Sequence, residues 1–147
     1  MESGQLYGAA EIGMFFADLS ALPHFYLSPI TMTTPRHYVS SEFMQSSQGE
    51  PIRSVVTTSP HATVVAWHIE PGQRIAAHIH PHGQDTWTVL SGVGEYLLDT
   101  DGQVQTIAKG DVLVAHQGQV HGVLNHGHEP LRFISVVAPF DAGFELL

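Results

Sequence analysis

The 147-residue chain contains no cysteine. That absence removes disulfides, thiolate metal sites and cysteine nucleophiles together, and it leaves the compartment undetermined by redox logic. Positive charge is also scarce: 5 Lys and Arg stand against 14 Asp and Glu, for a formal net charge of −9. No Lys/Arg cluster occurs anywhere, so the basic footprint of a nucleic-acid binder is missing, and acidic lipid surfaces are disfavoured for the same reason. An anionic substrate would have to be captured by a metal or by one of the few arginines. Long apolar runs are lacking too. The opening residues, MESGQLYGAAEIGMFF, show neither a basic leader nor a stretch long enough to span a membrane. The expectation is a cytoplasmic protein whose partners include neither nucleic acid nor membrane.

What is present describes a globular β protein. Hydrophobic residues make up 43% of the chain and charged residues 13%, a charge content too sparse for a disordered chain. The length suits one domain with a real core. Fourteen glycines and nine prolines mark many turns and favour short strands over long helices. Residues 1–50 read as an irregular N-terminal arm, partly extended. Within it Met14–Leu22 has room for one or two helical turns, and SPITMTTPRHYVSSEFMQSSQGEP reads as an extended arm or edge strand. From Pro51 the texture changes. Short β-branched and aromatic runs alternate with turn signals about every ten residues, as in a sandwich or barrel. Strands are predicted near Ser54–Thr58, Thr63–Glu70, Arg74–His80, Thr86–Ser91, Gly94–Asp99, Val104–Ile107, Asp111–Ala115, Val120–Asn125 and Arg132–Ala138. No helical period interrupts the series, which argues against an α/β plan, so residues 51–147 are expected to form a single all-β domain.

Eleven histidines are many for this length. Setting aside His24 and His37, they fall between His61 and His128. The densest stretch is AHIHPHGQDTW. Alternate residues of a strand share a face, so His78 and His80 project together, at a spacing suited to two ligands of one ion. His82 shares that parity only if the strand continues, and Pro81 and Gly83 argue that it turns. Beyond the turn, Asp85, Trp87 and Val89 share one face of the next strand. In the distant segment GDVLVAHQGQVHGVLN, His121, Val123 and Asn125 share another.

These two blocks resemble the paired motifs of the cupin superfamily. The first, PGQRIAAHIHPHGQDTWTVLSG, has Gly72, five residues, His78-x-His80, four residues, Asp85, six residues and Gly92. The second has Gly110, five residues, His116, one residue, Gly118, two residues, His121, three residues and Asn125. Together with flanking strands the likeness extends over about Pro51–Pro139. The resemblance implies a double-stranded β-helix, or jelly-roll, barrel holding one divalent transition metal. Carried over residue by residue, the ligands are His78, His80, an acidic residue and His121. At the acidic position the family usually has Glu, and here the sequence offers Gln84 or Asp85. Counting forward from His80 in a shorter-looped variant picks Gln84, whereas counting back from Gly92 along the strand picks Asp85. Strand register is harder to slip than loop length, so Asp85 is preferred and Gln84 is the alternative. His116 stands where the family often has proline; it reads as a surface residue at the strand end, with a polar group at the pocket rim as the alternative.

Neutral imidazoles with a hard oxygen suit Fe, Mn, Ni, Zn or Cu, and no sulfur ligand draws the site toward softer metals. Trp87, His82 and Asn125 are the expected substrate-pocket residues, each with a plainer reading beside it. Trp87 could be core, His82 a solvated turn residue, and Asn125 an amide that bonds backbone or orients His121. His24, His37, His61, His126 and His128 are assigned to the surface, and His68, Tyr96 and Phe133 are left without a face. The function expected from the resemblance is a metal enzyme acting on a small organic molecule, with dioxygenase- or decarboxylase-like chemistry. The alternatives are a non-enzymatic ligand-binding or sensing module and Zn-type isomerase or hydrolase chemistry. A homodimer, through the arm or a barrel face, is expected for the family and for a barrel with edge strands.

Overall fold

The computed structural model describes residues 34–147, so the Met14–Leu22 turns and His24 lie outside the described residues. Strand β1 spans Ser54–Thr58, β2 Thr63–Ile69, β3 Arg74–Ile79, β4 Gln84–Ser91 and β5 Val93–Leu97. They are followed by β6 Val104–Ala108, β7 Val112–Ala115, β8 His121–Leu124, β9 Leu131–Ala138 and β10 Glu145–Leu146. Two five-stranded sheets result, in the orders β1-β2-β9-β4-β7 and β10-β3-β8-β5-β6. Neighbours pair antiparallel throughout. This is the jelly-roll arrangement, a double-stranded β-helix. Among the described residues, no helix is long and apolar enough to cross a membrane.

Alternation builds the interior. On β4, Asp85, Trp87 and Val89 are buried while Thr88 and Leu90 are exposed. On β9, Leu131, Phe133 and Ser135 are buried. The inward residues form an apolar cluster of Ile69, Trp87, Val89, Tyr96, Ile107, Val123, Leu131 and Phe133. Tyr96 and Phe133, whose faces the sequence left undecided, therefore point inward. Cross-strand register then sets a gradient along the interior: Val89 pairs Phe133, Trp87 pairs Ser135, and Asp85 pairs Val137. Polar side chains replace apolar ones toward that last pair.

Two glycines are required by close approach. Gly92 has φ +83, and a Cβ there would lie 2.6 Å from the Pro130 carbonyl oxygen. At Gly122 on β8, a Cβ would lie 2.7 Å from the Ile75 carbonyl oxygen and 2.9 Å from that of Ala76. Those carbonyls belong to an irregularity in β3, where the register against β8 shifts between Ile75 and His78. Such a bulge re-aims the groups around it, and here it turns the Ala76 carbonyl toward the ring of His78.

Two features differ from the sequence expectation. The compact unit begins at Pro35 and runs to Leu147, so Pro35–Glu50 is part of it. In that stretch the only regular element is a 3₁₀ turn, Ser40–Phe43, with no strand. Side chains hold it in place: the Tyr38 hydroxyl bonds Thr57 Oγ1 at 3.2 Å, and the Gln73 amide donates to the carbonyls of Ser47 and Gly49. The second difference is β10, whose two residues pair with Ile79 and His78. It is too short to leave a periodic signal.

Candidate metal centre

The local fold brings four side chains to one point. His78 on β3 and His121 on β8 are direct cross-strand partners, with ring centroids 4.1 Å apart. His80 follows one residue after β3 ends and is on the same side as His78. Asp85 faces these three imidazoles from β4, in the other sheet. All four are buried, and one ligand atom from each lies within 4.8 Å of the others. Asp85 Oδ2 is 3.5 Å from His121 Nε2 and 3.8 Å from His80 Nε2.

Each imidazole is oriented by the backbone. His78 Nδ1 faces the Ala76 carbonyl at 2.9 Å, His121 Nδ1 the Gln119 carbonyl at 3.0 Å, and His80 Nδ1 the Gly143 carbonyl. A carbonyl only accepts, so each Nδ1 carries the proton and each Nε2 presents a lone pair to the centre. On the carboxylate, the Trp87 indole donates to Oδ2 at 2.7 Å and the Ser135 hydroxyl donates to Oδ1. His121 Nε2 is fully buried and has no hydrogen-bond partner. A buried polar atom left in that state is expensive unless something fills its place. Three nitrogen lone pairs, that of the orphaned His121 Nε2 among them, and one carboxylate fit a borderline divalent ion.

Electrostatics agree with that fit at His78 and Asp85. Burial, reinforced by His121 and His80, lowers the His78 pKa to about 4 from its usual 6.5, so the ring is a neutral donor at neutral pH. For Asp85, burial opposes ionisation, but His121, His80, Ser135 and Trp87 outweigh it and hold the carboxyl well below the usual range. Burial likewise opposes the charged form of His80, yet Asp85 and the Gly143 carbonyl raise its pKa overall.

A stability consequence follows for the metal-free protein. The unfolded chain protonates residue 78 near 6.5, the folded one only near 4, so acid favours the unfolded state across that interval. The raised pKa of His80 has the opposite sign, but its contribution is complete below 6.5 and is lost only as pH rises through the folded value. Asp85 stabilises above the unfolded carboxyl pKa and loses this only in stronger acid. Thermal denaturation in chelator should therefore show Tm falling from pH 6.5 to pH 4, with a shallower fall in His78→Gln. A flat profile would contradict the burial of a neutral ring.

The other expected residues are placed differently. Gln84 is exposed and donates its amide to Thr86 Oγ1, away from the centre. The cavity beside the cluster measures about 550 Å³ and is lined in part by Arg53, Trp67, Ser135 and Phe144, without Trp87, His82 or Asn125. Trp87 lies beneath the site, stacked on Phe133 at 4.3 Å, with its indole N–H used on Asp85. His82 is exposed, because the chain turns at Pro81. Asn125 is buried with its amide spent on the carbonyls of Ile69 and Glu129 and its oxygen on the Gly127 N–H, so it ties loops together. His116 is exposed, and His68 is buried between Glu70 and Arg132.

Sequence reasoning did not find Ser135, Gly143, Phe144 or Arg53. Ser135 left one trace: a single hydroxyl at an inward position of the apolar run RFISVVA. The others reach the site from segments whose approach no local pattern encodes.

A family model described as "Cupin domain" matches residues 65–137. The chain is similar to an uncharacterized conserved protein with a double-stranded beta-helix domain from Klebsiella pneumoniae, at 52% identity and TM-score 0.74, covering 77% of this chain and 97% of that one. It is also similar to an RmlC-like cupin protein from Desulfovibrio desulfuricans, at 26% identity and TM-score 0.62, covering 73% and 98%. The polyketide cyclase RemF from Streptomyces resistomycificus shares the fold, at 15% identity and TM-score 0.62, covering 78% of this chain and 86% of that one. No curated protein matches the sequence.

Proposed function

The chain belongs to the cupin superfamily, and from that premise we propose that it is a mononuclear metal protein that acts on a small organic molecule by oxygenase- or decarboxylase-like chemistry. His78, His80, Asp85 and His121 are the proposed ligands. The observation that carries this reading is the common tautomer: three buried imidazoles each spend Nδ1 on a backbone carbonyl, the Nε2 atoms of His80 and His121 approach Asp85, and one ligand atom from each of the four residues lies within 4.8 Å of the others. A divalent ion held there supplies Lewis acidity and, if it is Fe, Mn, Ni or Cu, electron exchange with substrate or O₂.

The chain's own groups do the rest. Asp85, fixed by Trp87 and Ser135, supplies one negative charge against the positive centre. The cavity walls, including Val65, Trp67, Ile75 and Val137, are largely apolar and favour an apolar ligand.

Protein purified without added metal is expected to contain close to one transition metal per chain by elemental analysis. With that metal present, it should consume O₂ or release CO₂ from a small acid, diketone or phenol. A metal-loaded protein that binds such a molecule without turnover would favour the ligand-binding alternative, and zinc as the native metal would favour isomerase or hydrolase chemistry. A protein that neither retains nor takes up metal would end the proposal.

A further inference from the structure

Among the described residues the cavity lining carries one Lys or Arg side chain, and it is exposed to solvent. Arg53, immediately before β1, lines the cavity together with Trp67, Ile75, Val137 and Phe144. Arginine and lysine number only five in this chain of net charge −9, so a guanidinium at this position is not one of many. Among the described residues Arg53 forms no ion pair, Asp141 on the same lining included.

A guanidinium is a planar fork of donors that matches a carboxylate in two parallel hydrogen bonds. Around it the lining is mostly apolar, and Trp67, Phe140 and Phe144 contribute rings. Asp141, unpaired on the same lining, disfavours a second anionic group on the ligand. Resting on the metal-centre reading above, we propose that Arg53 is the anion-binding subsite of the cavity, and that the substrate is a planar, mainly apolar monocarboxylate whose acid group pairs with it. Arg53 thereby selects among ligands that the histidine cluster alone would accept.

Benzoate and its neutral isostere benzamide separate charge from shape. Calorimetric titration of the protein as isolated is expected to show tighter binding of benzoate. Arg53→Ala should weaken benzoate by about tenfold, the scale of a hydrogen-bonded charge pair, and leave benzamide unchanged. Arg53→Lys should restore part of the loss, because it keeps the charge but not the fork. If the wild type does not prefer benzoate, or if Arg53→Ala keeps the full preference, the inference is overturned. Metal content measured on the same samples distinguishes the two proposals. Loss of selectivity with metal retained supports the subsite, unaltered selectivity with metal retained refutes the subsite alone, and absence of metal from the wild type refutes the metal centre.

Discussion

Replacing His78 and His121 together by alanine is expected to abolish metal binding, taking the content from about one ion per chain to background. The two rings are cross-strand partners with centroids 4.1 Å apart, and they supply two of the three nitrogen donors. Removal of an outer partner of a ligand typically weakens metal affinity by about 10–100-fold, so losing two ligands outright should exceed about 100-fold. Asp85→Ala should release metal as well, because it removes the only carboxylate in the cluster and leaves Trp87 and Ser135 without their acceptor. Gln84→Ala should release none, since that amide is exposed and bonded to Thr86. Elemental analysis, with circular dichroism to verify the fold, checks all three. A double histidine variant that still holds stoichiometric metal would place the metal elsewhere.

The contrast between Asp85 and Gln84 shows what a sequence encodes well. Strand parity is local and rigid: once Trp87 and Val89 are inward, Asp85 must be too, and Gln84 must face out. The same rule made the nine strands from β1 to β9 readable, because turn residues separate them and strands such as β2, β4 and β9 carry an inward apolar set. Parity says which face a side chain takes but not how deep it sits. Trp87 was expected in the pocket wall, and its face agrees, yet it lies beneath Asp85 as a donor. Arg53 and the Gly143 carbonyl approach the site only through tertiary closure. Gly143 is brought to His80 by a two-residue strand at the chain end, and nothing in the residues before it announces that pairing. The cluster was legible because His78 and His80 share a strand face and the two blocks resemble the cupin motifs, which add Asp85 and His121. The cavity was not, because its wall is assembled from segments far apart in the chain.

Gly122→Ala should produce the other large effect, and it probes how the fold positions the rings. The added Cβ would meet two backbone oxygens, Ile75 at 2.7 Å and Ala76 at 2.9 Å, and neither can swing aside as a side chain would. Either β8 separates from β3 or the bulge flattens. Overpacking of this kind typically destabilises by about 1–3 kcal/mol. The Ala76 carbonyl is also the group that fixes His78 Nδ1, and His121 is the residue before Gly122. The displacement therefore falls on two proposed ligands at once, and metal occupancy should drop along with the urea midpoint. Gly102→Ala is the control: its φ of +97 makes the substitution strained, but a Cβ there meets nothing within 4 Å. It should cost about 1 kcal/mol of backbone strain and leave metal content intact. Equal metal loss in both variants would show that the centre responds to general destabilisation, and full occupancy in Gly122→Ala would show that the bulge does not position His78.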